Sequence, residues 1–198
     1  MKLNEITAHH KAIYFVDVDE TLFQTFAKVK VVKDGKVTHE LDNQEYNSYI
    51  LQPGEEFDYH EFKDGDLFKR TSKPIHAVLQ KIEEIHQKVK QQPDSRIILL
   101  TARADFVDKE PFLQTFRDHG LDIDDMYVHR TGNDKGSAPE RKKKAIREYL
   151  STTEYDRAKM VDDHDGNLDA FLSLKLEFPN IDFRAWLVTN TGQTTTYK

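Results

Sequence analysis

Two aspartates one residue apart, Asp17 and Asp19, stand directly behind a short apolar run, and a second acidic pair, Asp162 and Asp163, stands behind another. Carboxylates gathered in this way repel one another unless a cation lies among them, and an all-oxygen set is what magnesium prefers in phosphoryl transfer. The residues therefore point to Asp17, Asp19, Asp162 and Asp163 around Mg2+, with Asp17 free to attack phosphorus and Asp19 handling the leaving-group proton. Thr101, behind a third apolar run, can donate a hydrogen bond to the transferring group, and Thr21 offers a second hydroxyl for substrate binding. The transition state carries charge that one divalent ion does not fully balance, so a lysine is expected as well. Residues 139–150 offer Lys142, Lys143 and Lys144 in succession. At about 100° per residue, the apolar face set by Ala145, Ile146, Tyr149 and Leu150 is centred near Lys142, with Lys143 at its margin and Lys144 opposite. Lys142 is thus the one expected to point inward. Arg103 and Arg130 each follow an apolar run and read equally as substrate contacts or as surface arginines.

These residues need a scaffold that brings the ends of several strands together. Short apolar runs at 12–16, 96–100, 126–128, 158–161 and 184–188 read as buried strands. Between them, 72–89, 106–119, 139–150 and 167–176 read as helices, the first with apolar residues every three or four positions and Ser72 as its cap. Alternation of this kind implies an α/β fold, a mainly parallel sheet flanked by helices, with ligands bound at the carboxyl ends of the strands. Residues 29–41 alternate around Asp34-Gly35 and predict a β-hairpin, whereas 42–70 shows little periodicity and reads as an inserted lobe. One domain is expected over 1–198, its core formed by 1–23 and 71–198, with flap and insertion between them.

The run Asp17-Val-Asp-Glu-Thr21, Thr101 behind a strand, a lysine opening a later helix and the pair Asp162-Asp163 resemble, in order and context, the four motifs of the haloacid dehalogenase superfamily. The resemblance covers roughly residues 12–23 and 72–190. It implies a Rossmann-like core, a β-hairpin flap, a small cap-like insertion and an aspartyl-phosphate formed on Asp17. It further implies Asp19 as general acid and base, Thr101 and Lys142 steadying the phosphate, and Asp162 with Asp163 holding magnesium. The sequence departs from the family at Glu20, where many members carry glycine. The family's dehalogenases lack the second aspartate, so Asp19 points to phosphatase or phosphotransferase chemistry. The core is also loosely similar to the phosphatase half of phage polynucleotide kinase-phosphatases.

The chain of 198 residues has no cysteine, which excludes disulfides, thiolate metal sites and a cysteine nucleophile. Its net charge of −6 gives no overall footprint for duplex nucleic acid, and no apolar run is long enough to span a bilayer. A cytoplasmic protein is expected. The nine histidines form no metal motif, and Gly132 to Ser137 lacks the spacing of a phosphate loop. The expected activity is hydrolysis of a phosphomonoester, on a small phosphorylated metabolite, a nucleotide or a nucleic-acid end. Phe57, Tyr59, Phe62 and Phe68 could stack on a base, or form a private core for the insertion. A phosphotransferase, or a catalytically silent scaffold on the same fold, are the alternatives.

Overall fold

The computed structural model describes residues 11–198. The chain opens with β1 (Ala12–Val16), whose Ile13 and Phe15 face one layer while Tyr14 and Val16 face the other. It then forms β2 (Phe23–Gln24), the hairpin β3 (Val29–Lys33) and β4 (Lys36–Leu41), α1 (Asn43–Ser48), β5 (Glu55–Asp58) and a 3-10 turn at His60–Lys63. There follow α2 (Gly65–Thr71), β6 (Lys73–Pro74), α3 (His76–Val89), β7 (Arg96–Thr101), α4 (Glu110–Asp118) and β8 (Tyr127–Arg130). The last part holds α5 (Ala138–Thr152), β9 (Arg157–Asp162), α6 (Asp165–Leu172), β10 (Asp182–Val188) and β11 (Thr194–Tyr197).

Six strands form the main sheet in the order β11-β10-β9-β1-β7-β8, and only β11 runs antiparallel to its neighbour. The architecture is therefore mixed α/β with a mainly parallel sheet flanked by helices. From β1 the chain crosses first to β7 and β8 on one side and later to β9 and β10 on the other, which makes β1 and β9 the switch point where such sheets form a crevice. One face packs Val16, Ile97 and Leu99 against α3 and α4 through Val78, Ile82, Phe112 and Phe116. The other packs Phe15, Ile98 and Met160 against α5 and α6 through Ile146, Leu168 and Phe171. Each such fully buried side chain contributes about 1.5–3 kcal/mol relative to exposure, which fixes the strand ends that carry the polar residues.

All five expected strands form, with ends shifted by a residue or two, and β11 is an addition that the sequence reading omitted. The helix expected from 72 begins only at His76, because Lys73–Pro74 pairs with Phe23–Gln24 instead. Ser72 does not cap α3; it ends α2, its N–H donating to Phe68 O. The helix expected from 106 starts at Glu110, with proline in its first turn, and the last one is α-helical only to Leu172, continuing as a 3-10 turn. In the hairpin, Asp34 and Gly35 both take positive φ (50° and 72°), the turn that Asp-Gly favours. β5 pairs with β3, so hairpin and insertion make one three-stranded lobe with a core of Val29, Val31 and Leu41 under Tyr46, Tyr49, Phe57 and Phe62. The lobe stops earlier than residue 70: Phe68 of α2 lies in the main core against Phe23 and Phe112, at ring-centroid distances of 5.4 and 4.8 Å.

Among the described residues, no helix is long and apolar enough to cross a membrane.

Candidate active site

β1 ends in a hydrogen bond from Asp17 N to Val161 O (2.9 Å), which continues the β1–β9 ladder and sets Asp17 beside Asp162 at the switch point. The chain then coils once, Leu22 N and Phe23 N both donating to Val18 O, so that Asp19 and Thr21 return to the same edge. Glu20 occupies the bend with φ 57°, a left-handed conformation that costs a non-glycine residue about 1–2 kcal/mol. Its carboxylate is well used there: Oε1 accepts from Thr25 N (2.9 Å), Thr25 Oγ1 (3.1 Å) and Asn43 Nδ2 (3.1 Å). Glu20 thus ties the turn after β1 to the lobe.

Oxygens of Asp17, Asp162 and Asp163 lie within 4.8 Å of one another, a group that could hold a metal ion. Asp19, also expected as a ligand, is not in this group. Lys142 enters from α5, only 2% exposed, and donates to Asp17 Oδ1 (2.5 Å) and Asp162 Oδ2 (2.8 Å). Thr21 Oγ1 sits 3.3 Å from Asp17 Oδ2 and 3.4 Å from Asp163 Oδ1. Asp162 Oδ1 accepts from His164 N (3.0 Å) and Asn167 Nδ2 (2.9 Å), and Asn167 Oδ1 is buried with no donor on it.

Three carboxylates and one ammonium leave two negative charges when all are ionised, in a place where unpaired charge is expensive. Burial raises the Asp17 carboxyl well above its usual range, with Asp162, Asp163 and Asp19 adding to the rise and Lys142 opposing it. Burial and then Asp162 push Asp163 up to about 7. Burial works against the Lys142 ammonium, but Asp162 and Asp17 outweigh it and hold the amine protonated.

Asp19 belongs to a different grouping. Arg103 is 2% exposed and donates from Nε to both Asp19 oxygens (3.1 and 3.0 Å) and from Nη2 to Oδ1 (2.7 Å). Burial opposes ionisation of Asp19, yet the Arg103 charge and its hydrogen bonds prevail and lower the carboxyl below its ordinary value. Thr101 Oγ1 lies 3.4 Å from Asp19 Oδ2 and accepts from Arg103 N (3.1 Å). The loops after β7 and β8 are locked together: Thr131 N donates to Thr101 O, Gly132 N donates to Arg103 O, and a Cβ on Gly132 would stand 2.4 Å from Ala104 N. Arg130 is turned to this loop pair, its Nε 3.0 Å from Asp105 Oδ1 in an ion pair without hydrogen-bond alignment.

The structure thus brings together Asp17, Thr21, Lys142, Asp162 and Asp163, sets Asp19, Thr101 and Arg103 beside them, and directs Arg130 to Asp105. Sequence reasoning missed Asn167 and the Gly132 contact; an asparagine one turn after an acidic strand end was the available signal for the first. Of the aromatic residues offered for stacking, Phe57 packs among Tyr46, Tyr49 and Tyr59, Phe62 covers Arg103, and Phe68 is in the main core. Only Tyr59 is substantially open, at 40% exposure. No family model matches the chain, and comparison with curated proteins and with solved structures returns no match.

Proposed function

We propose that this protein is a magnesium-dependent phosphomonoester hydrolase of the haloacid dehalogenase type, acting through an aspartyl-phosphate on Asp17. The observation that carries this reading is the cluster at the switch point, where Lys142 bonds one oxygen each of Asp17 and Asp162 and oxygens of Asp17, Asp162 and Asp163 lie close enough together to share one ion. The donor set is all oxygen with two charges in excess, which suits a hard divalent ion, and the partnerless Oδ1 of Asn167 suits a hydration water. Asp17, Asp162 and Asp163 would hold Mg2+, which supplies positive charge against the carboxylates and the phosphoryl oxygens together.

Asp17 attacks phosphorus through one carboxylate oxygen as the bond to the leaving oxygen breaks, and Asp19 gives that oxygen a proton. In the second step water attacks the aspartyl-phosphate, Asp19 takes the proton from the water, and release of phosphate restores the Asp17 carboxylate. Arg103 favours the ionised form of Asp19, so Asp19 rests in the state needed for the second step. For the first step it must take up a proton, which a substrate entering as a phosphate monoanion carries. Lys142 and the Thr101 and Thr21 hydroxyls steady the transferring oxygens. Nucleotides and nucleic-acid ends stand alongside small phosphorylated metabolites as substrates.

The test is phosphate release from sugar phosphates, nucleoside monophosphates and end-phosphorylated oligonucleotides, with magnesium or EDTA, for wild type and Asp17→Asn. Release lost both in EDTA and in the variant is the expected result. Activity that survives in Asp17→Asn overturns the nucleophile assignment.

A further inference from the structure

We propose that Arg103 is a positioning residue for Asp19, through which the seating of the inserted lobe fixes the carboxylate that moves the proton. The inference rests on the reading of Asp19 as acid and base given above. It departs from the expectation that Arg103 touches substrate.

The geometry points this way because the guanidinium is taken up by two aromatic rings and by hydrogen bonds from all three of its nitrogens. Its carbon lies 5.0 Å from the Phe62 ring centroid and 4.7 Å from that of Phe68. Nη1 donates to the Phe62 carbonyl (3.2 Å), while Nε and Nη2 take the two oxygens of Asp19. With its side chain 1% exposed against 20% for Asp19, Arg103 stands behind the carboxylate and Asp19 is the member that faces the cleft. A two-pronged grip fixes the plane of a carboxylate as well as its distance, which a single ammonium cannot do.

Three parts of the chain must be in register for that grip to form. The Arg103 backbone is pinned by Thr101 Oγ1 and by Gly132 N. Asp19 is set by the turn after β1. Phe62 belongs to the 3-10 turn of the lobe, whose neighbour Glu61 holds Lys28 N (2.8 Å) and Lys30 (3.1 Å) at the base of the hairpin. A lobe lifted from the core would withdraw the Phe62 ring and carbonyl from Arg103 and leave Asp19 gripped by an arginine free to swing. Among the described residues, Asp17, Asp162 and Lys142 make no hydrogen bond or ion pair to this lobe, so its seating bears more directly on Asp19 than on the nucleophile.

The experiment is a double-mutant cycle at saturating magnesium with Arg103→Met, Asp19→Ala, the combined variant and Arg103→Lys. Each is assayed on para-nitrophenyl phosphate, whose leaving group needs little protonation, and on phenyl phosphate, whose leaving group needs more. Arg103→Met is expected to lower kcat on phenyl phosphate about a hundredfold and on the nitrophenyl ester much less, with KM little changed. It is expected to add nothing to Asp19→Ala, and Arg103→Lys to recover only part of the loss. Losses that multiply in the combined variant, or a rise in KM at constant kcat, would make Arg103 a substrate contact and overturn the proposal.

Hydrogen exchange of residues 59–64 supplies a readout that needs no turnover. Exchange should quicken in Arg103→Met, whereas an unchanged rate denies the link to the lobe. The combined variant removes both charges of the pair and should melt above Arg103→Met, which controls for misfolding. If wild type released no phosphate, the enzyme reading would fail, and the exchange measurement would still decide whether Arg103 joins lobe to turn.

Discussion

Lys142→Met removes the charge at the centre of the site while keeping most of the side chain's volume. Lys142 is 2% exposed and bonded to two carboxylates, Asp17 at 2.5 Å and Asp162 at 2.8 Å, so the variant leaves both without their cation. Breaking a buried ion pair by deleting one partner costs about 3–5 kcal/mol, and at roughly 2–4 °C per kcal/mol for a chain of this length the melting temperature should fall by about 6–20 °C. The cost depends on pH in a known direction. Burial already raises the Asp17 carboxyl, and Lys142 is the main influence against that rise, so in the variant a proton can take the lysine's place. The gap between variant and wild type should be wide at pH 8 and narrow at pH 5. Thermal melts by circular dichroism in EDTA at both values measure this, and phosphate release should fall about 10²–10³-fold, as for other lost donors to a transferring group. A gap equal at the two pH values, or a variant that melts within about 1 °C of wild type at pH 8, would refute the reasoning that Lys142 offsets these carboxylates.

Two further outcomes follow from the same geometry. Burial and Asp162 push the Asp163 carboxyl up to about 7, whereas a free aspartate releases its proton near 3.8, so the folded state binds more protons across that window. Metal-free stability should therefore fall as pH rises from about 4 to 7, Asp17 adding in the same sense, and magnesium should raise the melting temperature more at pH 8 than at pH 5. A magnesium effect equal at both, read by titrating the metal into melts, would count against the triad. Gly132→Ala would bring a methyl to 2.4 Å from Ala104 N and 2.5 Å from Ala102 O, forcing the β7 and β8 loops apart. A loss of about 1–3 kcal/mol in urea unfolding, with reduced phosphate release, is expected, and an unaffected variant would show that the loops are not locked there.

The parts of the site legible in the sequence are those that a strand or helix delivers by its own periodicity. Asp17 and Asp162 follow directly from buried runs, and Lys142 follows from the apolar face of its helix, because burial on that face carries the lysine inward with Ala145 and Ile146. The pairing of Asp19 with Arg103 is non-local, spanning 84 positions, and no local pattern announces it. The same holds for Lys73–Pro74, which abandons a helical start to pair with Phe23–Gln24 some fifty residues earlier. The lobe was visible only as a break in rhythm, since its small core draws on aromatic residues from a short helix and a short strand, where no period has room to repeat. Asp19 was expected among the metal ligands because it is near Asp17 in sequence, but one turn of coil separates their surroundings.

The two buried cations reach neighbouring groups of aspartates from opposite sides of the sheet, Lys142 taking Asp17 and Asp162 from the α5 layer and Arg103 taking Asp19 from the layer that holds Phe68. Neither can arrive until its own layer has docked. Until both layers dock, the carboxylates at this strand edge stay hydrated, and burying them without their cations would cost several kcal/mol each. The charges proposed to serve chemistry therefore also penalise any arrangement that buries the aspartates without both cations, and the docking of the two layers is coupled by the residues least suited to a core.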